Sequence, residues 1–239
     1  MAPTSELNPR EVIEARALLS ALTEFSSCAR HDLLGPMNQA SSLLALFIRR
    51  NGGRQNSEAE EVLELLQSAS ARMDRLTAGI RKYMDVAGRT PCFEPVDLDV
   101  ALSASLGILE KTISETAAVI VSDRLPVVLA DPAHMVTILE ILIRNSLRFR
   151  RADAPPVIRI SPVREGGVDG IEVVDNGIGI DPESTESVLR PFRRLGGNPE
   201  PGLGLAIAKL IVELHGGRIS INPASSGGGT VVRFTVQPA

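Results

Sequence analysis

Four short segments carry residue types that could handle phosphate, a purine and a nucleophilic attack. Asp175-Asn176-Gly177-Ile178-Gly179 follows the apolar run Ile171 to Val174. A carboxylate at a strand end can accept a hydrogen bond from an exocyclic amine, and the glycines let a ligand approach the backbone. Gly202-Leu203-Gly204-Leu205 opens a helical pattern, where free N–H groups and the positive end of the helix dipole suit phosphate. Arg144-Asn145-Ser146-Leu147-Arg148-Phe149 lies late on another helical pattern. There Asn145 offers a neutral oxygen to a hard cation, and Arg148 a planar cation to phosphate. The fourth segment is His31-Asp32-Leu33-Leu34-Gly35-Pro36. Asp32, bonded to one ring nitrogen of His31, would raise the nucleophilicity of the other. Pro36 removes a backbone hydrogen bond and loosens the helix there. Each segment alone has an ordinary reading as a turn, a satisfied polar residue or a solvated charge. The ordered set argues for a site.

The chain has three histidines, His31, His134 and His215, and position separates them. Ala15, Leu18, Leu22, Phe25, Ala29, Leu33, Met37, Ala40, Leu44 and Phe47 form one helical stripe. At about 100° per residue, Leu33 falls at about 20° from its centre, Ala29 at about 340° and His31 at about 180°. His31 is therefore expected to point away from the stripe into solvent. His134, beside Asp131-Pro132, and His215, before Gly216-Gly217, are expected as surface or capping residues.

These segments need two kinds of scaffold. Asn8, Pro9 and Glu11 start the first long helix, Asn51-Gly52-Gly53 ends it, and Ser57 with Glu60 forms a capping box for a second. The second helix repeats Val62, Leu66, Ala69, Met73, Leu76, Ile80, Tyr83 and Ala87 at alternating steps of four and three, a coiled-coil seam. Two antiparallel helices with one stripe each cannot bury it alone, and pairing with a second copy gives a four-helix bundle and a homodimer. Gly88 to Pro95 reads as a linker. Beyond it, strands are expected at Phe93 to Leu98, Val119 to Val121, Val127 to Ala130, Val157 to Ile160, Ile171 to Val174, Arg218 to Ile221 and Thr230 to Val236. Helices are expected at Val100 to Ala117, Pro132 to Phe149 and Leu203 to His215. The fold class is α+β: an N-terminal helical hairpin over residues 1–88, then an α/β sandwich over 89–239 with helices on one face of a mixed sheet.

Composition agrees with a folded chain and excludes some classes. The 239 residues are 44% hydrophobic and 23% charged, with a net charge of −4 that offers no case for nucleic acid or an anionic membrane. Cys28 and Cys92 are the two cysteines, in no metal-ligand spacing, which suits a reducing cytoplasm. No apolar run nears the roughly 20 residues of a membrane span, and Met1 to Glu6 lacks the features of a signal peptide.

Asn145 with Arg148 and Phe149, then Asp175-x-Gly177-x-Gly179, Pro191-Phe192 and Gly202-x-Gly204-Leu205, resembles the ordered nucleotide-binding boxes of histidine kinases, whose ATP-binding fold is similar to that of gyrase-type ATPases. Gly227-Gly228-Gly229-Thr230 is similar to the last glycine box, and His31-Asp32 with Pro36 resembles the phosphoacceptor box. The resemblance spans roughly Pro9 to Phe234. It implies that ATP and Mg²⁺ are bound, with Asn145 on the metal, Arg148 on phosphate, Phe149 near the base and Asp175 on the adenine amine. Gly177, Gly179, Gly202 and Gly204 with Leu203 and Leu205 would shape the pocket. Asp181 to Pro201 would cover the triphosphate, with Arg194 reaching its γ-phosphate. It further implies phosphorylation of His31, transfer to an aspartate of a response-regulator receiver, and input from a sensor protein or sensor domain.

Three positions depart from the family pattern. Ile141 stands where a second asparagine is common, Glu200 where a further glycine is common, and Gly35 where a Thr or Asn orients water for dephosphorylation. The last implies little phosphatase activity. Two other readings compete: a dimeric phosphotransfer scaffold with a weak ATP domain, and a gyrase-like clamp ATPase. The scaffold should have lost Asn145 or Asp175. The ATPase needs an acidic base where Ile141 stands.

Overall fold

A computed structural model describes residues 42–43, 46, 57–194, 200–224 and 228–236. His31, Asp32, Gly35 and Pro36 lie outside the described residues, as do all ten residues of the first apolar stripe and Gly227.

Helix α1 runs Ser57–Ala87. Ala69, Leu76 and Tyr83, seven residues apart in succession, are buried along it. The heptad spacing assigns them to a helix–helix seam. In the structure Leu76 and Tyr83, with Val86, belong to the buried cluster formed by the α/β elements. Periodicity identifies a face that must leave water, but not the surface that covers it.

After α1 the order is β1 (Glu94–Asp97), α2 (Leu98–Thr116), β2 (Val119–Ser122), β3 (Val127–Ala130), α3 (Pro132–Arg148), β4 (Val157–Glu165), β5 (Val168–Asp175), α4 (Gly204–Leu214), β6 (Ile219–Pro223) and β7 (Thr230–Thr235). β1 and β3 form a small antiparallel pair, while the main sheet has the order β2-β4-β5-β7-β6. Only β2 and β4 run parallel in it. Gly166 and Gly167, both at positive φ, turn β4 into β5.

Alternation decides what the sheet points at the helices. Ile158, Ile160, Ile171, Val173, Ile221, Val232 and Phe234 are buried, and Ile160, Val173 and Val232 are successive cross-strand neighbours. Counting on from Ile171 and Val173 with period two puts Asp175, paired with Ile158, on this same inner face. The last residue of β5 therefore points a carboxylate toward α3 rather than into solvent.

Two short 3₁₀ turns, Pro182–Ser184 and Ser187–Leu189, lie in the span expected to cover the triphosphate. Val188 and Leu189 bury their side chains in the core, which ties this stretch down.

His134 and His215 are both buried, at 5% and 3% exposure, which corrects the surface alternative, while His215 is the C-cap of α4 as the capping alternative expects. Asp131 caps α3 by accepting from the N–H groups of Ala133 (3.0 Å) and His134 (3.2 Å), and it also accepts from Cys92 N–H (3.0 Å). Its own N–H donates to His215 Nε2 at 3.1 Å, while His215 Nδ1 lies 2.7 Å from the Ile211 carbonyl. Only the neutral tautomer with Nδ1–H can donate to Ile211 and still accept from Asp131. These residues tie the linker, α3 and the end of α4 together. Local patterning missed the joint because its partners are 39 and 84 residues apart.

A pH dependence follows. Burial pushes both imidazoles below the ordinary histidine value. The unfolded chain then takes up protons that the folded chain refuses, so stability present above about pH 6.5 is lost as pH falls through the depressed values. Thermal unfolding between pH 7.5 and 5.5 should show a falling Tm, with a limiting slope of about 1.4 kcal/mol per pH unit per histidine. His215→Gln should lower Tm at pH 7.5 and flatten the profile, whereas an unchanged profile would contradict this account.

Candidate functional site

A cavity of about 600 Å³ opens between the end of β5, α3, the start of α4 and the flank of α1. Its size lies within the range of small-molecule and cofactor sites. Asn145, Arg148, Phe149, Asp175, Gly179, Arg194, Gly202, Leu203, Gly204 and Leu205 all line it, so nearly the whole expected set converges.

Asp175 is held by three hydrogen-bond donors. Its Oδ1 accepts from the N–H groups of Gly177 (2.9 Å) and Thr230 (3.0 Å). Its Oδ2 lies 3.1 Å from Ser146 Oγ on α3, which shares its proton with the Leu142 carbonyl at 3.2 Å. Burial pushes this carboxyl up, and the hydrogen bonds from Gly177, Thr230 and Ser146 partly oppose the shift. Oδ2 keeps lone-pair capacity toward the cavity for an amine donor.

Gly177 lies just behind this wall. A Cβ there would stand 2.4 Å from the Phe149 carbonyl, and that carbonyl accepts from Ile178 N–H at 2.9 Å. A side chain at 177 would push the β5 loop off the end of α3. Phe149 caps that helix, donating its N–H to the Asn145 carbonyl at 2.9 Å. Asn145 is half-buried at the cavity wall, one turn earlier.

Phe192, buried and at φ 64°, donates its N–H to the Gly202 carbonyl at 2.9 Å, which ties the two ends of the 192–202 segment together. Gly202 has φ 71°. No side chain among the described residues caps the start of α4, and no acidic residue lies in its first turn, so its N–H groups and dipole face the cavity uncompensated.

Several lining residues escaped the sequence reading. Arg75, Gly79 and Lys82 come from α1, and Arg193 precedes Arg194; Glu140 on α3, which helical phase sets about 100° from Ile141, lines the cavity as well. Glu140 binds Lys82 Nζ at 3.2 Å and an Arg144 nitrogen at 2.7 Å. Burial works to raise its carboxyl, but Arg144 and Lys82 hold it below the ordinary glutamate value on balance. A carboxylate so held is a poor proton acceptor, which weighs against a hydrolytic ATPase. Arg148 pairs with Glu200 at 2.7 Å. The glutamate standing in place of a glycine therefore meets the very cation expected to bind phosphate.

Residues 130–239 match the family described as histidine kinase-, DNA gyrase B- and HSP90-like ATPase. Cyanobacterial phytochrome A of a Nostoc strain is 33% identical over 218 residues, covering 90% of this chain and 28% of that protein. Histidine protein kinase DivJ of Caulobacter vibrioides is 29% identical over 234 residues, covering 93% of this chain and 36% of that protein. The chain thus spans about a third of the length of these relatives. Among solved structures, the histidine kinase ThkA in complex with the response regulator protein TrrA superposes with a TM-score of 0.72 at 18% identity, over 98% of this chain and 68% of that one, a likeness of fold. No helix among the described residues is long and apolar enough to cross a membrane.

Proposed function

We propose, for a chain that is the catalytic core of a sensor histidine kinase, that it binds Mg-ATP, phosphorylates its own His31 and passes the phosphoryl group to an aspartate of a response-regulator receiver. The observation that carries the reading is the single cavity onto which Asn145, Arg148, Asp175 and the uncapped start of α4 all face.

In this reading Asp175 Oδ2 accepts the adenine amine and Phe149 lies near the base. The α4 N–H groups with Arg148 and Arg194 take the phosphates. Gly177, Gly179, Gly202 and Gly204 with Leu203 and Leu205 shape the walls. Asn145 fits a magnesium ion, because that ion is commonly held by one or two protein oxygens together with substrate phosphates, and it would neutralise phosphate charge there. Arriving phosphates must take Arg148 from Glu200. Phosphoryl transfer asks the protein mainly for positioning and charge neutralisation. A ring nitrogen of His31 forms the bond to phosphorus as the bond to the β-phosphate oxygen breaks and ADP leaves, with Asp32 holding the other ring nitrogen.

The domain division is residues 1–88 for dimerisation and phosphoacceptance and 89–239 for ATP binding. The working form is a homodimer through a four-helix bundle in the cytoplasm, driven by a sensor protein or sensor domain. Sedimentation should give the mass of two chains at micromolar concentration; a monomer would contradict the bundle.

Labelled Mg-ATP should leave protein-bound phosphate with release of ADP, whereas free phosphate without protein label would favour an ATPase. Asn145→Ala should keep metal-free ATP binding within about threefold, because the metal site and not base recognition is removed. It should slow labelling by at least about 10²-fold, a typical cost of losing one transition-state charge contact. Calorimetry with and without Mg²⁺, beside the labelling rate, checks both halves.

A further inference from the structure

Arg75, Gly79 and Lys82, four and three residues apart, occupy one face of α1, and all three line the nucleotide cavity. The contact is close. A Cβ at Gly79 would stand 2.9 Å from Leu203 Cδ1 and 3.3 Å from Pro201 Cγ. Lys82 reaches α3 through Glu140. α1 therefore meets the cavity beside the start of α4, the side assigned above to the phosphates and not to the base.

Arg75 Nε is buried and has no hydrogen-bond partner. Among the described residues no carboxylate pairs with Arg75, whereas Arg144 and Lys82 share Glu140 and Arg148 holds Glu200. A guanidinium nitrogen removed from water without an acceptor is unfavourable until one arrives, and phosphate oxygens match its planar fork.

We propose that Arg75 is a ligand for the phosphates of the bound nucleotide, so that a helix of the hairpin completes the pocket of the ATP-binding domain. The inference rests on the nucleotide-binding reading above and adds to it a residue outside the family's nucleotide boxes. It has a reciprocal consequence. ATP tightens the seat of α1 on the ATP-binding domain, and lifting α1 away weakens ATP binding by the same factor. Adenosine, which has no phosphates, does neither.

The test titrates the full chain with ATP, ADP and adenosine by calorimetry, without metal so that Asn145 plays no part. Arg75→Ala should weaken ATP binding by about tenfold or more, the usual cost of a lost charge-assisted hydrogen bond, and leave adenosine within about twofold. Arg75→Lys should recover part of the ATP affinity, since it restores the charge without the fork. Thermal unfolding of each variant without nucleotide monitors folding. Equal losses for ATP and adenosine would reduce Arg75 to a packing role and overturn the proposal, as would unchanged ATP affinity in Arg75→Ala. A wild-type chain that binds neither nucleotide overturns the nucleotide-binding reading itself, so the two failures are distinguishable.

Discussion

Replacing His31 by alanine should remove the phosphoryl label that Mg-ATP places on the protein, a loss to background of more than about 10³-fold, because no second imidazole can substitute for a missing covalent acceptor. The helical phase places His31 about 180° from the apolar stripe. The other two histidines are poor acceptors. His134 and His215 are buried, and both ring nitrogens of His215 are engaged. ATP binding and oligomeric state should be unchanged in His31→Ala, since a residue on the solvent side of a helix contributes little to folding. Asp32→Asn should keep label on His31 but slow its appearance by about 10²-fold, the low end for assisted proton transfer. Labelling rates on denaturing gels at neutral pH check both, and label retained in His31→Ala would move the acceptor elsewhere.

The second large effect is expected at Asp175. Its Oδ1 is taken by two backbone N–H groups, which leaves Oδ2 to face Ser146 and the cavity. In Asp175→Asn the two N–H groups hold the amide oxygen in the Oδ1 position. The amide nitrogen then faces the cavity and meets the adenine amine donor to donor. Losing one hydrogen bond and leaving a buried donor unpaired costs about 2–3 kcal/mol, so ATP affinity should fall by about 30- to 200-fold. The fold should survive, because Ser146 Oγ can accept from the new amide. Calorimetry with ATP decides it, and unchanged affinity would remove Asp175 from base recognition.

The nucleotide-facing set was legible in the sequence because each member sits where a regular element ends. Asp175 closes the β5 alternation, Gly204 opens α4, and Asn145 to Phe149 finish α3. Such boundaries are written locally by period and by glycine. The strands and α2 to α4 agree with the sequence reading within one or two residues for the same reason, except that β4 runs five residues past the expected Ile160 and β5 starts three before the expected Ile171. What stayed hidden depends on distant partners. Arg75, Gly79 and Lys82 look like the solvated flank of a coiled coil until Pro201, Leu203 and Glu140 are brought against them. Likewise, nothing local shows that His134 and the C-capping His215 are buried. Their burial follows from the way α3, α4 and the Cys92 linker meet around Asp131. The pairing of Arg148 with Glu200 joins positions 52 residues apart, and the short 3₁₀ turns are set by where Val188 and Leu189 find the core.

The central claim is that phosphate moves from ATP to one particular nitrogen-bearing side chain of this protein. The most direct measurement is to incubate the wild-type chain with Mg-ATP, digest it at alkaline pH and locate the phosphoryl group by mass spectrometry. The account predicts one base-stable, acid-labile phosphoryl group in the peptide that holds His31, on the imidazole. A phosphoryl group on another residue, or ATP consumed with no phosphoryl group on the protein, would contradict it.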